Sequence, residues 1–474
     1  MRSRALVALL LAATLTGGCG GSTTTGELDR DALVARTWSY DVLVVLVDAA
    51  RADHFGFLGH DRPTTPNIDR LAAESVIFEQ AYAQATGTAN SVYSFLTSRY
   101  PIFETVPDLV GQNAIFLSDE ATTLMEILSS RHPHRLVLST NPFVREHLGM
   151  TQGATEVVED WRPSAAERSG RPPLYAERVT GPALDWIDAH ANEGFFAYLH
   201  YLEPHEPYTP PEPFVSRFAG EDASTRFGRT QILRQLGQRT PQREIVDRVR
   251  DLYDANLAYV DSHVGALVDS LRGRGVLDET ILVLTSDHGE AFWEHGRRGH
   301  GHAPYEELVR VPLLIRVPGV PEWEGRRIAE PVELVDLLPT LMDLLGLPVD
   351  SRQLVGRSLV DAMIAGRADP DRMVHARSNR TVDPVYALRR GDWKWLVHSR
   401  DGRQELYDLA ADPGETTDLV AAGGADDALL EEFHGAFGRW LRGEHVEAGA
   451  ASPVDNRQMD ADVIESLRSL GYIE

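Results

Sequence analysis

The run Asp41-Val-Leu-Val-Val-Leu-Val47 is apolar without interruption after its first residue, β-branched at most positions, and too short for a core helix. Such a run predicts a strand over 42–47 that is covered on both faces. Comparable runs predict strands at 136–139, 195–202, 281–285 and 311–316. Between them the apolar residues recur at helical spacing. Segments 67–74, 122–130, 177–191 and 245–273 read as helices, and 91–98 puts Val92, Phe95 and Leu96 on one face. Strands alternating with helices predict an α/β fold. A large domain, residues 39–372, has a mostly parallel central sheet sandwiched by helices.

Two stretches break this rhythm. Residues 214–244 are polar and Arg-rich, carry Gly220, Gly228 and Gly237, and show no strong period. The expectation is an excursion over the site-bearing face, in the manner of a lid. Beyond Met373, short strands at 385–389, 393–397 and 404–408 are separated by Gly-Asp and Asp-Gly turns, and a helix follows over 428–442. This predicts a small antiparallel C-terminal subdomain, residues 373–442, with Trp393-Lys394-Trp395 in its sheet. The tail, 443–474, is loose apart from a short helix at 460–471.

Met1-Arg-Ser-Arg4 followed by apolar residues 5–15 reads as a signal peptide, too short to span a bilayer as a mature helix. It ends Leu15-Thr-Gly-Gly-Cys19, which resembles a bacterial lipobox with its leucine displaced by one place. The expectation is export to the bacterial cell envelope, a lipid anchor on Cys19 to the membrane, and a tether over 20–38. Cys19 is the sole cysteine, so no internal disulfide forms. The net charge of −25 excludes nucleic acid as a partner, because phosphate backbones demand basic neutralisation.

The chemistry lies at strand and helix ends. Asp48 closes the first strand, and Asp287-His288 close the run 281–286. Open α/β sheets bind ligands outside the carboxyl ends of their strands. Thr88 opens a helix behind Gly87, where unpaired N–H groups and the helix dipole suit an anion. Threonine is also a common helix cap. Beside Asp48, Asp287, His288 and a divalent cation, its hydroxyl becomes a nucleophile. Ser91 and Ser94 are the rival alcohols further along that helix.

Several longer motifs carry a resemblance. Residues 41–53 and Thr65-Pro-Asn-Ile-Asp-Arg-Leu-Ala72 resemble the opening of the sulfatase family within the alkaline phosphatase superfamily. Residues 88–99 resemble its nucleophile helix. Ser286-Asp-His-Gly-Glu290, Glu294-His-Gly296 and 305–312 resemble its second metal motif, and 407–415 its C-terminal signature. Sulfatases of that family convert a cysteine or serine to formylglycine. Here Thr88 holds that position and cannot yield the aldehyde, while Asn90, Val92 and Ala49 replace three further family residues. The set Asp48, Thr88, Asp287 and His288 instead resembles relatives with a threonine nucleophile.

The resemblance implies one divalent metal on Asp48, Thr88, Asp287 and His288, with Mn, Zn, Ca and Mg all open. A second metal on His205, His300 or His302 is the weaker alternative, because no separate Asp-x-x-x-His set is present to hold it. It also implies that His205 and His300 contact the substrate or its leaving group. Asn90 either donates to a phosphoryl oxygen, which its place beside Thr88 favours, or caps the helix, and His302 is a further candidate substrate contact. Arg51 either touches the anion or pairs with a nearby acid such as Asp53. His295 reads as a structural turn contact. The expected reaction is cleavage of a phosphate monoester or diester, or transfer of a phosphoryl headgroup, through a phospho-threonine. A sulfuric ester hydrolase without formylglycine and a non-catalytic binding lipoprotein are the alternatives. The substrate is an anionic ester; an envelope address points to a lipid headgroup or envelope glycan.

Overall fold

The structure, a computed structural model, describes residues 30–101, 117, 121–162, 174–221, 224–348, 354–380 and 383–443. The signal peptide, Cys19, residues 20–29 of the expected tether and the expected helix at 460–471 lie outside the described residues. Fifteen strands are described. They are β1 (Asp41–Val47), β2 (Val76–Tyr82), β3 (His134–Ser139), β4 (Glu156–Glu159), β5 (Phe195–Tyr201), β6 (Thr280–Thr285), β7 (Ala291–Phe292), β8 (Arg298–Gly299), β9 (Arg310–Arg316), β10 (Arg327–Ile328), β11 (Val332–Glu333), β12 (Val374–Arg377), β13 (Val385–Arg390), β14 (Trp393–His398) and β15 (Gln404–Asp408).

All seven residues of β1 are buried because it lies near the middle of a nine-stranded sheet covered on both faces. The order is β10-β2-β9-β6-β1-β5-β3-β4, with β11 also on β2. Pairs β1–β5, β1–β6, β3–β5 and β3–β4 are parallel, while β9 runs antiparallel to both β2 and β6. The two-residue alternation of a strand divides β1 between two cores. Val42, Val44 and Leu46 pack with Val92 and Phe95 of the helix Thr88–Thr97; Leu43, Val45 and Val47 pack with Val260, Val264 and Leu267 of the helix Arg243–Gly273. This packing pins the helix that begins at Thr88 to one face of the sheet, at the carboxyl end of β1.

Three expectations need correction. Residues 30–37, assigned above to the tether, form the helix Arg30–Thr37, which buries Leu33 and Thr37 and rests on the helix Leu337–Leu344. Segment 214–244 contains the helices Phe214–Ala219 and Thr230–Leu236, and the first packs on Arg243–Gly273 rather than forming an irregular loop. Strand β2 was not expected; its Glu79-Gln80 interruption coincides with a register shift against β9.

The C-terminal subdomain is a four-stranded antiparallel sheet, β12-β13-β14-β15, with the helix Asp427–Leu441 packed on it through Phe433 and Trp440 against Trp395. Arg377 at the end of β12 pairs with the chain before the Thr88 helix: its N–H donates to Gln84 O (3.0 Å), and Thr86 N–H donates to its carbonyl (3.2 Å). That contact carries Asn379 to the helix start.

Candidate active site

β1 and β6 are hydrogen-bonded neighbours, so the residues that follow them emerge side by side. Asp48 leaves β1, and the chain turns at once through Ala49, whose φ of 53° is a left-handed conformation costly for alanine. The turn lets the Ala49 N–H donate to Asp287 Oδ1 (3.2 Å), and the His288 N–H donates to the same oxygen (3.0 Å). On the other side, Asp48 Oδ2 accepts from Asn141 Nδ2 and lies 2.9 Å from His200 Nε2. Each carboxylate therefore has one oxygen held by the protein. Asp48 Oδ1 and Asp287 Oδ2 are buried and make no hydrogen bond.

His288 completes the cluster. Its Nδ1 lies 2.8 Å from Gly289 O, and because a carbonyl only accepts, the ring proton sits on Nδ1. That leaves Nε2 for the cluster, 3.8 Å from Asp48 Oδ1 and 3.5 Å from Asp287 Oδ2. Two orphaned carboxylate oxygens and an imidazole Nε2 facing one another suit a divalent cation, with Gly289 O orienting the ring through Nδ1. Burial, and then the charge of Asp287, push the Asp48 carboxyl well above its ordinary range. Burial also opposes ionisation of Asp287, but His288 and His200 outweigh it and hold it low. A cation between them would remove the reason for that asymmetry.

Thr88 Oγ1 sits at this cluster, 3.3 Å from His288 Nε2 and 3.4 Å from Asn141 Nδ2. Its helix is buried along its whole length. Of the rivals, Ser91 Oγ donates to Ala85 O (2.9 Å) instead, and Ser94 Oγ is buried without a hydrogen bond. Asn90 donates to Asn379 Oδ1, and its own Oδ1 is buried without a partner. A Cβ at Gly87 would stand 2.6 Å from Asn379 Nδ2, so a larger residue there would displace the Asn379 amide.

A file of imidazoles borders the cluster. His300 lies 4.4 Å from His288 and 4.9 Å from His205, centroid to centroid. Burial lowers the pKa of His300, but Glu290, with Oε1 3.1 Å from Nδ1, outweighs burial and leaves it raised. Burial likewise opposes the charge of Glu290, yet His300 holds its pKa at about 2. His205 points Nδ1 at Glu206 O (2.6 Å), and burial lowers its pKa to about 3, so it is neutral.

The remaining assignments divide. Arg51 does not serve the anion: its guanidinium is buried and bonded to Asp53 (2.7 Å), Glu294 (2.8 Å) and Glu290 O (3.0 Å). His302 turns Nε2 to Arg298 O (2.9 Å), a tie within its own loop in place of the expected substrate contact. His295 is a turn residue, φ 48°, held by Glu307 and Glu415 O and stacked on Tyr305. Sequence reasoning missed Asn141, His200 and Asn379. Asn141 stands two residues past β3, which the strand-end rule could have flagged, and His200 is the polar residue inside the apolar run of β5.

The Sulfatase family profile matches residues 40–347, well over half of the chain, and spans every residue of this cluster. The chain belongs to the sulfatase family. A second profile, N-sulphoglucosamine sulphohydrolase, C-terminal, matches 296–434. Among curated sulfatases, an arylsulfatase of Clostridium perfringens is 24% identical over 443 residues, covering 80% of this chain and 90% of that protein. A choline-sulfatase of Rhizobium meliloti is 35% identical over 237 residues, 48% of this chain and 44% of that one. Among solved structures, the phosphonate monoester hydrolase of Agrobacterium radiobacter superposes with a TM-score of 0.67 at 21% identity, covering 88% of this chain and all of that one. The chain is thus a sulfatase-family hydrolase with the alkaline phosphatase-like fold.

Proposed function

We propose that this sulfatase-family hydrolase cleaves phosphate esters with the unmodified Thr88 hydroxyl as nucleophile. One observation carries the reading: Asp48 Oδ1, Asp287 Oδ2 and His288 Nε2 face one another beside Thr88 Oγ1. These three side chains and Thr88 would hold one divalent cation. When bound, it supplies positive charge that favours the Thr88 alkoxide and offsets charge building on the phosphoryl oxygens.

The chain's own residues do the rest. Asn141 donates toward Thr88 and steadies Asp48, while the N–H groups at the start of the helix Thr88–Thr97 face the anion. Thr88 Oγ, its proton released to water, attacks phosphorus in line, and the phospho-threonine forms as the P–O bond to the leaving group breaks. His300, whose pKa Glu290 holds up, donates to the departing oxygen, and neutral His205 lines the same side. Water, or an acceptor alcohol in a headgroup transferase, then frees the threonine. Export to the cell envelope with a lipid on Cys19 would bring lipid headgroups or envelope glycans within reach.

Curated relatives named for sulfate esters and a fold neighbour named for phosphonate monoesters share this scaffold. The choice of ester therefore rests on Thr88, which lacks the route to an aldehyde. Assaying the full chain, loaded in turn with Mn, Zn, Ca and Mg, on aryl phosphate, aryl phosphodiester, aryl phosphonate and aryl sulfate tests it. Preference for a phosphorus ester is expected; preference for the sulfate overturns the ester class, and inertness toward all four overturns the enzyme reading.

A further inference from the structure

A second group of metal-ligating side chains lies outside the Asp48 cluster and shares no ligand with it. His54 ends the short turn Ala52–His54 after β1, and His60 follows the turn Gly56–Leu58. Gly59, at φ 105°, lets the chain double back between them. Asp254 comes from the helix Arg243–Gly273 and is almost fully buried. We propose that His54, His60 and Asp254 form a structural transition-metal site of the zinc class, stapling the loop after β1 to the long helix.

The geometry supports it. His54 Nδ1 lies 2.6 Å from Asp254 Oδ1, and His60 Nε2 lies 3.6 Å from Asp254 Oδ2. One ligand atom from each of the three residues lies within 4.8 Å of the others, and ligands of a tetrahedral zinc sit about 3.3 Å apart, so side-chain adjustment alone would close the set around an ion. The imidazoles are stacked, with centroids 4.9 Å apart. His60 Nε2 is buried and faces Asp254 Oδ2 from 3.6 Å, beyond hydrogen-bond reach, so this contact is one that an ion between them would draw together. Two imidazoles with one carboxylate form a softer donor set than the Asp48 cluster, so the two sites should select different ions.

Arg62 competes for this site. It pairs with Asp254 and also with Asp251 (3.1 Å), and it donates to Phe218 O (2.7 Å). With Asp251 and that carbonyl as alternative partners, Arg62 can release Asp254 to an ion. The site should then bind with moderate affinity and tighten when Arg62 is removed.

The test uses the full chain, stripped with chelator and titrated with Co²⁺ alone, read by its visible absorption. An Asp287→Asn background weakens the first cluster and leaves this one intact. One equivalent of cobalt with the bands of a four-coordinate, imidazole-ligated ion is expected there. Adding His60→Gln, a partly exposed position, should abolish those bands, whereas Arg62→Ala should tighten binding at least threefold. Zn²⁺ should raise the Tm of the Asp287→Asn protein but not of the double variant. Bands that survive His60→Gln, or no cobalt bound with Arg62 either present or replaced, would overturn the site without touching the phosphoesterase reading.

Discussion

Replacing Asn141 with alanine removes an amide whose Nδ2 faces both Asp48 and the proposed nucleophile. The amide is buried, and its orientation is set because Oδ1 accepts from Phe143 N–H (2.7 Å), which leaves Nδ2 to face Asp48 and Thr88. Asp48 keeps His200 as a partner, so the carboxylate is not stripped bare. A hydrogen bond to a charged group contributes about 1.5–3 kcal/mol. If that donor also steadies the Thr88 oxygen as it becomes charged, the loss appears in kcat as roughly ten- to a hundred-fold. Asn141→Asp should cost more, since a third carboxylate would then face Asp48 and Asp287. The assay is steady-state turnover of an aryl ester at saturating metal, with Tm measured in parallel. A kcat for Asn141→Ala within about threefold of the parent, at unchanged Tm, would refute this account of the residue.

Further outcomes follow from the same geometry. Glu290 raises the His300 pKa, so activity that needs the His300 proton is full below that pKa and lost as pH rises through it; Glu290→Gln should move that alkaline limb to lower pH, and an unmoved limb would remove His300 as the donor. Arg51→Ala should cost about 1–3 kcal/mol in urea unfolding and leave KM for small esters unchanged, because its partners are acids and a carbonyl. A large rise in KM with unchanged stability would return Arg51 to the substrate. Lys394, the only lysine, is buried between Glu306 and Glu415, both at 2.9 Å. Lys394→Met should destabilise by about 3–5 kcal/mol, as expected when a buried pair loses one member, with turnover per folded molecule preserved.

The sequence made one part of the site legible and hid another for definite reasons. Asp48, Asp287 and His288 announce themselves because each ends a run too apolar to be anything but a central strand. Thr88 follows from the glycine before it and the helical period after it. Asn141 and His200 escape because neither carries formal charge, and their importance lies in occupying the second oxygen of Asp48. Asn379 could not be read locally at all: it reaches the helix start through the Arg377 pairing with Gln84 and Thr86, nearly three hundred residues away in sequence. Arg51 was balanced between two roles, and the acids that decide it, Glu294 above all, come from a distant segment. In the fold, the long strands and helices were legible, whereas β2 was masked by its polar interruption and the helix Arg30–Thr37 is too short to stand on propensity alone.

The central claim is that the Thr88 oxygen itself attacks the ester. Acid-quenching the metal-loaded enzyme during turnover of a phosphate ester, then sequencing its peptides by mass spectrometry, tests that claim most directly. The account predicts a phosphoryl group on Thr88 and its disappearance, with turnover, in Thr88→Ala. A phosphoryl group on Ser91 or Ser94, or a Thr88→Ala enzyme that still turns over, would contradict it.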